Sequence, residues 1–379
     1  MSQRSVPEFA KMTATEIARY RLINQQIAAR RCKEPVEVVS SLGAMQAQDY
    51  LGTLWAIGLR LPAPTERDVE RAIADRKIIR TWPLRGTLHF VAAADVHWLL
   101  ELLGPRIIST ANLRFEQYGL DSAALSRIRK VLVKALQGTQ LTRVELYAVL
   151  ERAKISVEGQ RGYHILWRMG VDRTICFGAR RGKQPTFTLL EEWVQAVRTL
   201  DQEAALAELA WRYFNSHGPA TLRDFAWWSG LKMSDAKAGL AMVSSRLESL
   251  AVSDKIYWMN PETPSPESTA SIAYLLPGFD EYLLGYRDRS AALDPAIVQK
   301  IQPGSNGIFS STIVIDGKVV GTWKRELTKK AVTVSTNLFR APSKREARAL
   351  EEAIGWYCEY LGTTRGLKPS VRVRSSENG

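Results

Sequence analysis

The sequence predicts an α+β protein: three tandem units of helices and a β-ribbon, followed by a small barrel-like β-domain. Three observations carry this. A helical run, a tight turn, a second helix and two short arginine-bearing β-prone pieces recur three times. The net charge is +13, from 52 Lys+Arg against 39 Asp+Glu, and local basic excesses fall on the ribbons. Beyond a Pro/Ser-rich linker near 261–268, strand-like runs surround an Asp316-Gly317 hairpin turn. Helices followed by a ribbon is the winged-helix order, whose best-attested use is to set a helix and a wing against a nucleic-acid backbone.

The first unit is placed at 13–95, after a flexible lead over 1–12. Thr13 or Thr15 caps a helix reaching about Arg31, and Ile17, Tyr20, Ile23 and Ile27 give its period. Pro35 suits the first turn of a second helix, 35–47, and Thr65 opens a third to about Arg76. Residues 78–91 alternate loosely around Pro83 and Gly86, which reads as two strands joined by a corner. The second unit, 120–190, has an amphipathic helix on Leu125, Ile128, Leu132 and Leu136. A helix follows behind a Thr142–Glu145 capping box, then a third over 162–169 and wing strands at 174–179 and 186–189. The third, 203–260, repeats the pattern and ends at Tyr257-Trp258-Met259. A barrel-like domain with a closing helix over about 344–360 fills 270–361, and 362–379 reads as a disordered basic tail.

Composition narrows the partners. A pI near 9.7 favours a polyanion. Between residues 76 and 89 stand four basic residues and no acid; between 160 and 183 stand six against one. No stretch has the length and apolarity of a membrane span, and the first residues lack a signal-peptide core. The three cysteines are widely spaced, which fits a reducing cytosol and neither a disulfide framework nor a zinc site. The expected location is therefore the cytoplasm, around the nucleoid. The four histidines show no ligand spacing, so neither metal nor cofactor is expected.

Three constellations could carry chemistry. Gln46-Ala47-Gln48 is placed at the end of the second helix; residues at i and i+2 share no helix face, so the two amides converge only if the helix stops there. The types alone suit a capped polar helix end equally well. Arg80, Trp82, Arg85 and His89 lie on the first ribbon, a mixture suited to phosphate contacts beside an aromatic or to a packed wing with solvated arginines. With Arg161, Arg173, Arg180, Arg181 and Lys183 of the second unit, Arg80, Arg85 and His89 form the expected DNA-binding set. The third constellation spans 275–289. There Asp280 and Glu281 are candidate acid–base carboxylates or an ion-paired linker, and Asp280 and Arg287, with Trp82, are candidate cleft residues.

Gln46-Ala47-Gln48, Arg85-Gly86-Thr87-Leu88-His89, His217-Gly218-Pro219-Ala220-Thr221 and the 276–289 segment, in this order, resemble the AlkZ-like winged-helix DNA glycosylases across about residues 14–340. The resemblance implies three tandem winged helices and a β-barrel around a C-shaped DNA cleft. It implies excision of bulky alkylated bases and unhooking of crosslinks, in base-excision repair or in self-resistance to an alkylating natural product. It assigns the catalytic role to Gln46 and Gln48 in the Gln-x-Gln form of the family signature. Asp49 stands one position too late for the Gln-x-Asp form. Hydrolysis is expected to be monofunctional, because no lysine neighbours the motif in sequence to form a Schiff base. The expected partner is duplex DNA carrying alkylated bases, bound by a monomer. The reading from a different class is a non-enzymatic winged-helix DNA-binding protein or transcription regulator, since the fold alone says nothing of catalysis.

Overall fold

A computed structural model describes residues 12–195, 198–266, 272–304, 307–328, 331–365 and 368–375. The expected lead, apart from Met12, and parts of the 261–268 linker and the basic tail lie outside those residues.

Thr13 caps α1 (Ala14–Asn24) in a box with Glu16. Pro35 stands at the first turn of α2 (Pro35–Leu42). This helix stops five residues before the expected end, because Gly43 turns the chain at φ +79°. The chain leaves as strand β1 (Met45–Gln46). Asp49 then caps α3 (Tyr50–Gly58), whose Gly52 N–H it accepts at 3.1 Å. Thus Gly52 lies inside a helix that follows the motif and is absent from the sequence-based expectation. After α4 (Glu66–Ala74) come β2 (Ile78–Leu84) and β3 (Thr87–Ala92). Two further helices, α5 (Val96–Thr110) and α6 (Asn112–Gln117), connect to the second unit.

That unit runs α7 (Ser122–Leu136), β4 (Leu141–Thr142), α8 (Arg143–Arg152), α9 (Arg161–Val171), β5 (Ile175–Phe177) and β6 (Thr186–Leu189). The Thr142–Glu145 box caps α8 as expected. After α10 (Leu190–Trp193), the third pass runs α11 (Gln202–His217), α12 (Leu222–Ser229), α13 (Met233–Val243), β7 (Glu248–Val252) and β8 (Lys255–Met259).

The ribbons of the first two passes are not separate. They join through the Arg80–Phe177 pairing into one six-stranded sheet, ordered β1-β3-β2-β5-β6-β4. The third ribbon is a two-stranded sheet of its own. β1 is an edge strand here, held only against β3, with Gln46 opposite His89.

The C-terminal region holds β9 (Ala273–Leu276), α14 (Glu281–Leu284), α15 (Val298–Ile301), β10 (Thr312–Ile315), β11 (Lys318–Leu327), β12 (Ala331–Leu338), α16 (Lys344–Arg365) and β13 (Lys368–Ser375). Asp316 and Gly317, at φ +51° and +83°, make the expected two-residue turn between β10 and β11. The expected barrel does not close: the sheet is open, ordered β13-β12-β11-β10-β9. A helix buries one of its faces instead. Tyr357 of α16 packs 4.9 Å from Trp323 of β11 and 4.9 Å from Trp55 of α3, and burial alternates along β12 as on a one-sided sheet. The basic tail, expected to be disordered, includes β13, which pairs in parallel with β12.

Candidate active site

The motif is not helical: Gln46 ends strand β1, Ala47 beyond it is fully buried, and Gln48 lies in the bend that leads to α3. This overturns the helix-end placement. Gln46 is half-buried and Gln48 exposed.

Each backbone polar group from Gln46 N to Ala47 O has a specific partner. The Gln46 N–H donates to Glu281 Oε1 at 2.9 Å. The Thr53 hydroxyl lies 2.9 Å from the Gln46 carbonyl oxygen and 2.7 Å from that of Asp49, and shares its one proton between them. The Ala47 N–H donates to the Leu88 carbonyl at 2.7 Å. The Ala47 carbonyl accepts from Arg80 Nη2 at 2.7 Å and Nε at 3.2 Å. By contrast, neither side-chain amide has a hydrogen-bond partner among the described residues. The backbone is rigidly held and the two amides are free.

Glu281 anchors the interior of this arrangement. It is 2% exposed, and its second oxygen accepts from Trp228 Nε1 at 3.0 Å. The His217 ring nitrogen lies 3.6 Å away, and that ring stacks on Tyr213. Burial opposes the charge on Glu281, while hydrogen bonding at its oxygens, the Gln46 N–H included, and any charge on His217 or His89 lower the carboxyl. Burial pulls His217 below its ordinary range. We therefore take the carboxylate as ionised mainly through its two N–H donors, with His217 neutral.

His89, expected among the DNA-binding residues, is fully buried and cannot reach a phosphate from this position. Its Nδ1 faces the Thr87 carbonyl at 2.9 Å. A carbonyl only accepts, so Nδ1 carries the proton and Nε2 is a bare lone pair, unpartnered in the interior. Burial first and the Arg85 charge second bring this ring down to about 4.

The other expected site residues divide. Arg80 grips the motif, with its guanidinium 4.8 Å from the Phe177 ring; burial lowers it to about 10, so it stays cationic. Arg85, at φ +52° in the turn of the first ribbon, donates to the Trp228 carbonyl and lies 4.8 Å from the Trp227 ring. Arg180 leans over Tyr50 at 4.5 Å, two residues beyond Gln48, which brings the second ribbon's tip to the motif. Arg181 pairs with Glu145 at 2.8 Å, and it and Lys183 are exposed. Arg161 is tied to the Tyr118 carbonyl and Arg173 to Glu101, away from the motif.

Two of the three cleft candidates sit in the interior. Trp82 is 3% exposed and packs against Gly170 and Phe177. Asp280 forms a buried bidentate pair with Arg60 at 2.8 and 2.9 Å, the ion-paired alternative weighed above. Arg287 is exposed. The residue next to Asp280, not Asp280 itself, reaches the glutamine motif. A carboxylate inside the apolar run 275–286 was the available signal; Trp228, Thr53 and Arg60 had none.

The chain is similar to known proteins in sequence and in fold. The family described as "DNA glycosylase AlkZ-like" matches residues 39–360. An interstrand DNA cross-link repair glycosylase of Streptomyces sahachiroi is 26% identical over 365 residues, covering 91% of this chain and 97% of its own. The solved structure of Streptomyces sahachiroi DNA glycosylase AlkZ superposes with a TM-score of 0.77 at 22% identity. It covers 96% of this chain and 100% of that one, a likeness of fold.

Proposed function

The chain belongs to the AlkZ-like family of DNA glycosylases, and from that premise we propose that it hydrolyses the N-glycosidic bond of bulky N7-alkylated purines in duplex DNA. Gln46 and Gln48 hold the attacking water. The observation that carries this reading is the contrast at the motif: a pinned backbone and two unpartnered amides at the end of an edge strand. Amides placed this way can orient a water without reorganising during the reaction.

The chemistry suits such a site. A guanine alkylated at N7 is cationic, so the C1′–N9 bond breaks with its electron pair neutralising the departing base, and no general acid is required. Water then adds to the electron-poor C1′ and loses a proton to solvent, leaving an abasic site. A neutral base such as uracil would need acid or base help that glutamine does not offer. No lysine is hydrogen-bonded or ion-paired to Gln46, Glu281, His89 or His217 among the described residues, which supports hydrolysis without a Schiff base and so without strand cleavage.

The three passes of helices and ribbon act here as winged helices lining a DNA cleft. Arg180, Arg181 and Lys183 at the second tip contact phosphates. The relative's role in crosslink repair extends on this reading to unhooking by this chain, within base-excision repair or self-resistance to an alkylating agent.

The test is duplex bearing an N7-alkylguanine, followed by alkaline cleavage at abasic sites. Wild-type protein releases the base in EDTA, and the Gln46→Ala/Gln48→Ala variant is slower by at least roughly 10²-fold, the scale of losing preorganised polar groups, while binding duplex as before. Binding without release from small and bulky N7 adducts alike would leave the DNA-binding-protein reading standing.

A further inference from the structure

We propose that Glu281 is a positioning residue of the glutamine site, which locks the catalytic strand and sets a negative charge beneath it that favours a cationic sugar. The inference rests on the reading of Gln46 and Gln48 as water-holding residues, and it assigns a role to a residue outside that motif.

Geometry supports each half. The Glu281 carboxylate touches the motif directly, since Oε1 accepts the Gln46 N–H, and Oε2 is fixed independently by the Trp228 indole. The carboxylate is thus a two-point brace between β1 and α12, at an edge strand whose one strand neighbour is β3. A neutral residue could brace the strand as well. The charge needs a second reason, and the surroundings provide it.

Among the described residues no arginine or lysine lies within ion-pair distance of Glu281; its one charged-type neighbour is His217, at 3.6 Å. The adjacent Asp280 takes Arg60 for itself. Arg85 keeps its charge and feels Glu281, but from beyond ion-pair distance, its guanidinium held by the Trp227 and Trp228 carbonyls. His89, across the strand, and His217 are both held in their neutral forms by burial. The negative charge beside the Gln46 backbone is therefore offset only from a distance, with no arginine or lysine paired to it directly. Burial keeps water from screening it. A buried carboxylate without a direct ion pair is costly for folding, and a reaction that develops positive charge at C1′ is where that cost is returned.

A pair of DNA ligands separates charge from shape. Duplexes carry at one position either a pyrrolidine abasic analogue, protonated and cationic, or a neutral tetrahydrofuran analogue. Wild-type protein binds the cationic duplex more tightly, and Glu281→Gln lowers that preference by roughly tenfold or more, the scale of one charge pair at an effective dielectric of about 20. A merely structural loss would weaken both duplexes alike and leave the ratio unchanged, and that outcome overturns the proposal. If Glu281→Gln does not fold by circular dichroism, Glu281→Asp keeps the charge but withdraws it by one methylene. Its ratio then falls between wild type and unity, and an unchanged ratio again overturns the role. Failure of the underlying reading looks different: wild-type protein would release no N7-alkylguanine at all.

Discussion

Acid should destabilise this protein through His89, by an amount that can be worked out. The ring is fully buried, and burial with the Arg85 charge lowers it from 6.5 to about 4 against the weaker pull of Glu281 and the Thr87 carbonyl. Between those two values the unfolded chain takes a proton that the native state refuses. Stability is therefore complete above pH 6.5 and is lost as pH falls towards 4. At about 1.4 kcal/mol for each tenfold change in protonation, the loss from this ring is about 3 kcal/mol. That is a large share of the roughly 5–15 kcal/mol that holds a domain folded. The perturbation is His89→Asn, whose amide replaces Nδ1–H as donor to Thr87 and cannot titrate. Urea unfolding at pH 7, 5.5 and 4.5 should show wild type losing about 2–3 kcal/mol more than the variant across that span. His97, His164 and His217 are also held below their ordinary range. They titrate in both proteins, so the difference between the two slopes belongs to His89. Parallel slopes, or an imidazole NMR titration of His89 in the native protein near 6.5, would refute the argument.

Three more outcomes are expected. Arg60→Met strands the buried Asp280 carboxylate and also leaves the Gln25 and Ala56 carbonyls without their donor, so unfolding should become easier by about 3–5 kcal/mol; a loss under about 1 kcal/mol would mean the pair is dispensable. At Gly170 an added Cβ would lie 2.3 Å from Trp82 Cε3. Gly170→Ala should therefore lower the melting temperature by an overpacking cost of about 1–3 kcal/mol, despite the helix propensity of alanine, and a rise would contradict the packing. Replacing Arg181 and Lys183 by glutamine should weaken binding to all duplex sequences alike and reduce the slope of log K against log salt by about 1.8; loss confined to particular sequences would mean the tip reads bases.

Where local chemistry decides structure, the sequence was legible. The Thr142–Glu145 box and the Asp316-Gly317 turn depend only on residues within reach of one another, and both formed as read. The second helix went wrong because Val36, Val39, Leu42 and Met45 keep a helical spacing across Gly43, where the chain turns left-handed and becomes a strand; Met45 is buried in either form. Nearly every residue of α3 is buried, so it shows no amphipathic stripe to read. The barrel failed differently. Four of its five strands were legible and β13 was not, but whether an edge pairs with another edge or a helix covers the face is not written in any strand. At the site, the glutamines were legible as a motif, whereas the brace behind them depends on a residue 235 positions away.

That separation sets a schedule for synthesis. Strand β1 leaves the ribosome early, but the carboxylate that completes its surroundings lies 235 residues later. At roughly 5–20 residues per second, the interval is roughly 10–50 seconds. During that time the nascent chain carries both glutamines and the first basic ribbon without their brace. A truncated product ending before α14 would carry all three helix-and-ribbon passes and still lack the interior anchor of the strand that bears the glutamine motif. Completion of the chain, rather than folding of its first unit, is what brings the site into being.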